Sequence, residues 1–346
     1  MKATLLGLWL MWLSAHACAA TTLVINAALD RDVVAPLLDA FSHANPDIEL
    51  IYHDGSTLEV ERQLQAGTRQ SADIVLSSAM PWQLAAVNAN RAQALDIPEA
   101  AEWPAWAKWR DEVFGFTFEP IVIAYRLELA HAMRPPETHR DVLALLHAHR
   151  TLLRGRVTTY SPERSGVGYT LFQQDARYSP RFWDLVAALG AADVSLEATS
   201  RNMLEGLSAG RYWLGYNLLG SYALVWAREH PDIIVQVPSD YSLVLMRMAF
   251  VTRDAPHPEA ARRFMAFLLG HAGQHVMAGQ TPLFSVRPDV TGPYTAQRLR
   301  DQVGDHLYPI PIDASLLAFV DPLRRDAFMA RWLRELKILD DGTTTQ

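Results

Sequence analysis

The amino-acid sequence predicts an α/β protein built as two lobes, and three observations support this. Buried-strand runs alternate with amphipathic helices from residue 21 onward, a second such round follows a strong strand near residue 121, and no Gly/Ser-rich linker separates the rounds. Alternating strands and helices imply right-handed βαβ crossovers and a largely parallel sheet. A chain of 346 residues holds two units of roughly 100 to 200 residues each. Two rounds without a soft connector predict lobes joined by two or more crossing strands, which suits hinge closure around a cleft.

Residues 1–20 come first and combine a basic start at Lys2, an apolar run from Leu5 to Leu13 and small residues around Cys18. That is the pattern of a cleavable export signal, its apolar run about half of the roughly 20 residues that span a bilayer. Cleavage after Ala19 or Ala20 discards Cys18, the chain's one cysteine; the alternative is a lipoprotein that keeps Cys18 as its acylated N-terminus. A periplasmic address follows, and a mature chain that holds no disulfide there must draw its stability from core burial.

Residues 21–120 are expected to form the first part of lobe 1, 121–245 lobe 2, and 246–346 a return to lobe 1 with C-terminal helices packing across both. Thr22–Asn26 reads as the first strand, Val33–Ala44 as a helix with Val34, Leu37, Leu38 and Phe41 on one face, and Ile48–Tyr52 as the second strand. A helix over Leu58–Ala66 and a strand over Ala72–Leu76 follow. Residues 96–118 read as irregular, with Trp103, Trp106 and Trp109 sealing a short helix. Ile121–Tyr125 is a strand, Arg140–His149 a helix, Arg156–Tyr160 the strand opening the second round, and Leu243–Val251 one extended run. The tail reads as helical over Pro258–Leu269 and Asp326–Leu336.

Acidic residues outnumber basic ones 38 to 31, a net charge of −7 that becomes −8 without Lys2. Such a balance excludes a general binder of nucleic acid or acidic membrane, which needs a basic field over its surface. It leaves room for one local basic pocket.

Several segments have the chemistry to hold a small anion. Ser165-Gly166-Val167-Gly168 lies between a strand and a helix, where free backbone N–H groups, the helix-start partial charge and a hydroxyl converge on one point. The same run also serves as a plain glycine-rich turn. Ser56-Thr57 and Ser77-Ser78 end strands of the first lobe, where ligands of open parallel sheets sit, and they equally suit N-caps. Arg201, with Asn202, begins a helix and can grip a phosphate or carboxylate with two parallel bonds, or stand solvated. Asp240 and Arg247 flank the presumed second crossing; Asp240 can take a ligand hydroxyl, and Arg247 the anion or Asp240 itself.

Other motifs fail on context. Gly206-Leu207-Ser208-Ala209-Gly210 matches a hydrolase elbow but runs helix to strand, the reverse of what exposes a nucleophile. His271 and His275 lack a third ligand, His147 and His149 point to different sides of their helix, and Gly166-x-Gly168 lacks the third glycine of a dinucleotide fingerprint.

Thr22–Asn26, the helix ending Phe41-Ser42-His43-Ala44-Asn45-Pro46, and Ala72-Asp73-Ile74-Val75 resemble the first lobe of type II periplasmic solute-binding proteins. Ser165–Tyr169 resembles the anion cradle of their ferric-iron and phosphosugar branch, and Ala255–Phe264 through Gly273-Gln274 the helix by which they return to the first lobe. Ser77–Met80, Gly215–Ala223 and Pro238–Tyr241 look most like the subgroup that includes the phosphoglycerate-transport regulatory binding protein. The resemblance implies a two-lobed periplasmic-binding-protein-like fold that closes on a small organic anion. It implies no enzymatic activity and no cofactor, and a monomer whose partner is an ABC permease or the periplasmic domain of a sensor histidine kinase. Tyr216, Asn217 and Tyr222 fall where ferric-binding relatives carry adjacent iron-ligating tyrosines, yet Leu218-Leu219 and Ser221-Tyr222 supply no such pair. Organic anions are therefore expected over ferric iron, with no metal site, and a secreted serine hydrolase using Ser208 stands as the outlying alternative.

Overall fold

A computed structural model of the protein describes residues 21–66 and 72–336. The export-signal and acylation readings fall on residues 1–20, outside the described residues. Among those that are described, no helix is long and apolar enough to cross a membrane.

Lobe 1 begins with three parallel strands, β1 (Thr21–Ala27), β2 (Ile48–Asp54) and β3 (Ile74–Ser77), with β1 in the middle. The helix Arg31–Ala44 connects the first two and buries Val34, Leu37, Leu38 and Phe41, the apolar face read from the sequence. The three tryptophans do not share one helix. Pro104, which lacks an N–H and resists helix continuation, follows the helix Pro98–Glu102; Trp106 then sits in a 3₁₀ turn and Trp109 in β4 (Lys108–Trp109). Strand β5 (Val113–Gly115) completes this part of the lobe.

The chain leaves the first sheet after Gly115 and enters the second at β6 (Glu119–Arg126), through the fully buried Phe116, Thr117 and Phe118. Lobe 2 adds β7 (Val157–Tyr160), β8 (Ser195–Glu197), β9 (Leu214–Leu219), β10 (Ile233–Gln236) and β11 (Ser242–Leu245). The expected single run Leu243–Val251 is two strands: β12 (Met248–Val251) lies in the first sheet, and Met246-Arg247 is the second crossing between lobes. A strand arriving from the other lobe enters from the opposite end. Accordingly β12 runs antiparallel to β3 and β5, and β6 antiparallel to β9, β10 and β11, so both sheets are mixed where a largely parallel sheet was expected.

The first sheet has the order β2-β1-β3-β12-β5-β4. The second has β13 (Leu307–Pro309), β11, β6, β9, β7 and β8 in that order, with β10 also on β6. Because β13 pairs with β11, residues 246–346 do not simply return to lobe 1. After that strand, Leu317–Val320 packs on the lobe 1 helix Met80–Asn88, and Pro322–Leu336 on the lobe 2 helix Phe182–Ala191. Phe328 and Trp332 of this last helix join Phe172 and Phe182 in an aromatic core, which ties the tail to lobe 2 through apolar burial.

Candidate functional site

A cavity with about 450 Å³ of empty space, mouth included, lies between the lobes. Its lobe 1 wall is Ala28, Asp30, Gly55, Ser56, Thr57 and Ser78, all just beyond the carboxyl ends of β1, β2 and β3. Its lobe 2 wall is Tyr160 at the end of β7, Ser165 and Val167, Ala198–Arg201, Leu219 and Tyr222, and Arg247 of the second crossing completes it. The helices Thr57–Ala66, Gly166–Tyr178, Ser200–Ser208 and Gly220–Glu229 all begin at this cavity. Their first-turn amides lack intrahelical acceptors, so four partial positive charges converge on one space.

Arg247 is the buried cation of the site, 2% exposed. Its Nη1 donates to the Ala28 carbonyl at 2.8 Å, and its Nε lies 2.7 Å from Glu119 Oε1, near enough for an ion pair but not aligned for a hydrogen bond. Its Nη2 is buried without any hydrogen-bond partner. Glu119 is itself fully buried and accepts from the Thr117 and Ser221 hydroxyls. Burial works against charge on Arg247, but the Glu119 carboxylate, helped by Tyr222, Tyr52 and Asp30, more than offsets it and keeps the guanidinium protonated. The Tyr222 ring lies 5.6 Å from the guanidinium centre, within cation–π range. Burial pushes the Tyr222 phenol up to about 12, so that oxygen stays a neutral hydroxyl.

Arg201 stands at the cleft in a different condition, a little over a third exposed. Its Nε donates to Asp30 Oδ2 at 2.9 Å and its Nη2 to Asp32 Oδ2 at 2.9 Å, so this lobe 2 residue is tied to lobe 1. Burial disfavours the charge, and the two carboxylates outweigh it and hold the guanidinium protonated. Two further bonds join the lobes here: Gly166 N–H to Thr57 Oγ1 at 3.0 Å and Asp30 N–H to Tyr222 Oη at 3.4 Å.

The residues expected at the ligand therefore separate. Ser56, Thr57, Ser78, Ser165, Val167, Arg201, Tyr222 and Arg247 line the cavity. Ser165 and Gly168 are largely occupied with each other, since Ser165 caps its helix by accepting from Gly168 N–H. Gly168 serves close packing rather than approach to an anion: a Cβ there would fall 2.3 Å from Tyr160 Cβ. At Gly166 the crowding is between lobes, a Cβ meeting that of Ala79 at 2.7 Å. Ser77 accepts from Ala79 N–H, and Asn202 only provides the amide that Thr199 caps.

Tyr216, Asn217 and Asp240 lie away from the cavity. Tyr216 Oη and Asn217 Nδ2 donate to the buried Asp175 Oδ2 at 2.9 and 2.7 Å, and Tyr241 Oη to its Oδ1 at 2.9 Å. Asp240 binds His139, Nδ1 to Oδ1 at 2.9 Å, and His139 stacks on Tyr241 at 3.9 Å. A buried carboxylate needs such donors, and Asp175 draws these side chains into the lobe 2 interior. Asp240 and Arg247 thus make no mutual pair; Glu119 is the partner of Arg247. Ser208 Oγ accepts from Trp226 Nε1 at 2.6 Å, and no hydrolase elbow forms. Among the described residues, no group of three or more His, Cys, Asp or Glu side chains is arranged to hold a metal ion.

Sequence reasoning missed Asp30, Tyr160, Thr199, Ser200 and Glu119. Asp30 and Tyr160 follow or end strands at their carboxyl ends, the rule that flagged Ser56 and Ser78. Glu119 carried no such signal, because its importance arises from pairing with a residue 128 positions away, at 247.

The family model described as Bacterial extracellular solute-binding protein matches residues 22–280. A substrate-binding protein of an ABC transporter from Agrobacterium tumefaciens is similar at 37% identity, with a TM-score of 0.88 over 94% of this chain and 96% of that one. AfuA of Actinobacillus pleuropneumoniae, solved with fructose 6-phosphate, is 13% identical with a TM-score of 0.74, covering 92% of this chain and 99% of its own. Ferric ion-binding protein A of Pasteurella haemolytica is 16% identical with a TM-score of 0.69, over 94% and 100%. The latter two likenesses concern the fold alone. No curated protein matches the chain.

Proposed function

We infer that this chain, which belongs to the Bacterial extracellular solute-binding protein family, closes its two lobes on one small organic anion and presents it to the permease of an ABC importer. The ligand class is a phosphate ester or a carboxylate. Arg247 carries the reading: a fully charged guanidinium, almost wholly buried, with Nη2 unpartnered at the wall of an interlobe cavity. An unsatisfied buried charged donor is costly unless something accepts from it, and an anion does so while four helix starts add partial positive charge.

The same residues speak against ferric iron. A hard trivalent cation calls for phenolate or carboxylate ligands, whereas Tyr222 is held neutral by burial, Tyr216 is tied to Asp175, and a buried arginine faces the space. Function here is binding alone. A ligand preferring the joined lobes shifts the population toward them, and the permease recognises that state.

Thermal unfolding against phosphorylated three- and six-carbon metabolites and against mono-, di- and tricarboxylates tests the reading. An anion at about 100 times its Kd should raise the midpoint by about 5 °C, since such an excess stabilises by about 2.7 kcal/mol. No response to any anion, or a response to ferric citrate with a visible charge-transfer band, contradicts it.

A further inference from the structure

We propose that the cleft selects anions with one charged head and an uncharged polar tail, and that Asp30, held in place by Arg201, excludes a second anionic group. This rests on the anion-binding reading above and narrows it.

The charges around the cavity are unevenly arranged. At Arg247 the buried guanidinium is balanced by Glu119, and Nη2 is left for one anionic head, to which the nearby helix starts add partial positive charge. At Arg201 two carboxylates face one guanidinium: Nε to Asp30 Oδ2 at 2.9 Å, and Nη2 to Asp32 Oδ1 and Oδ2 at 3.1 and 2.9 Å. That trio carries a net single negative charge. Asp30 and Arg201 line the cavity, whereas Asp32 does not. The Asp30 backbone is also anchored, its N–H donating to Tyr222 Oη across the cleft at 3.4 Å.

Asp30 and Arg247 line the same cavity, and in this proposal a ligand's anionic head sits at Arg247 with its other end at Asp30. A hydroxyl there donates to the carboxylate. A second carboxylate or phosphate meets like charge, and Arg201, already bridging Asp30 and Asp32, has little left to neutralise it, so the second anionic group is disfavoured. Arg201 is thus a positioning residue that fixes Asp30 rather than a grip on the ligand. The selectivity departs from the phosphoglycerate-transport subgroup that Gly215–Ala223 resembles, whose named anion bears both a phosphate and a carboxylate.

Titration calorimetry on the full chain tests this with two matched pairs: glycerol 3-phosphate against 3-phosphoglycerate, and 4-hydroxybutyrate against succinate. The wild type should favour the one-headed member of a pair by about tenfold or more. Asp30→Asn should reduce that ratio several-fold, because it removes the repelling charge and frees part of Arg201. Arg201→Gln should widen it, because both carboxylates then stand uncompensated. The ratio is the readout, since weaker lobe closure alone lowers both affinities together, and a thermal melt of each variant verifies folding. Equal or reversed preference in the wild type, or a ratio unmoved by Asp30→Asn, overturns the proposal. Failure of all four anions to bind counts instead against the anion-binding reading itself.

Discussion

Arg247 and Glu119 are the pair on which the proposed site depends, and in that reading they serve stability and binding at once. Removing one member of a buried ion pair leaves an uncompensated charge, which costs about 3–5 kcal/mol. Arg247→Met is therefore expected to destabilise the protein by about that much, with Glu119 left buried among the Thr117 and Ser221 hydroxyls. Adding Glu119→Gln removes the stranded charge and keeps groups able to bond those hydroxyls, so most of the stability should return. Anion affinity should not: losing a charge-assisted donor is worth about 1.5–3 kcal/mol, or roughly 10- to 150-fold in Kd. Urea unfolding and calorimetry on the single and double variants separate the two effects. Recovery of binding together with stability would show that Arg247 only holds the hinge.

Among the elements, the helix start at Gly166 is one point of close approach between the lobes, its N–H donating to Thr57 Oγ1 at 3.0 Å. The 2.7 Å separation that a Cβ at Gly166 would have from Ala79 Cβ is one that real side chains do not adopt. Each lobe can fold with alanine at 166, because the obstruction lies in the other lobe. Gly166→Ala should then weaken anion binding at least about tenfold while changing thermal stability little, and Ala79→Gly should restore it by clearing the contact. Loss of binding that Ala79→Gly leaves untouched would place the role of Gly166 within lobe 2. These elements were also the most legible part of the sequence. Periodicity located the helices that bury Phe41 and Trp332, and strand ends located Ser56, Thr57 and Ser78. The break at Met246-Arg247 was only partly legible: Arg247 interrupts the otherwise apolar run Leu243–Val251 and marks the crossing, but the run on either side keeps one pattern although it belongs to two sheets. The diversion of Tyr216 and Asn217 was not legible, because it follows from a buried Asp175 more than 40 positions earlier in the chain.

For the whole molecule, two short crossings, Phe116–Phe118 and Met246-Arg247, join the lobes and a C-terminal segment packs on both, an arrangement that suits rotation of one lobe against the other. Arg247 lies in one of these crossings, so the group proposed to meet the ligand is also part of the hinge. That coupling gives a physical route from an occupied cleft to a closed molecule that a permease can recognise. A crystal structure of the protein grown with glycerol 3-phosphate is the decisive measurement. The prediction is phosphate density within hydrogen-bond distance of Arg247 Nη2, between closed lobes, with the glycerol hydroxyls toward Asp30. Phosphate bound elsewhere, or an empty cleft at saturating ligand, would contradict it.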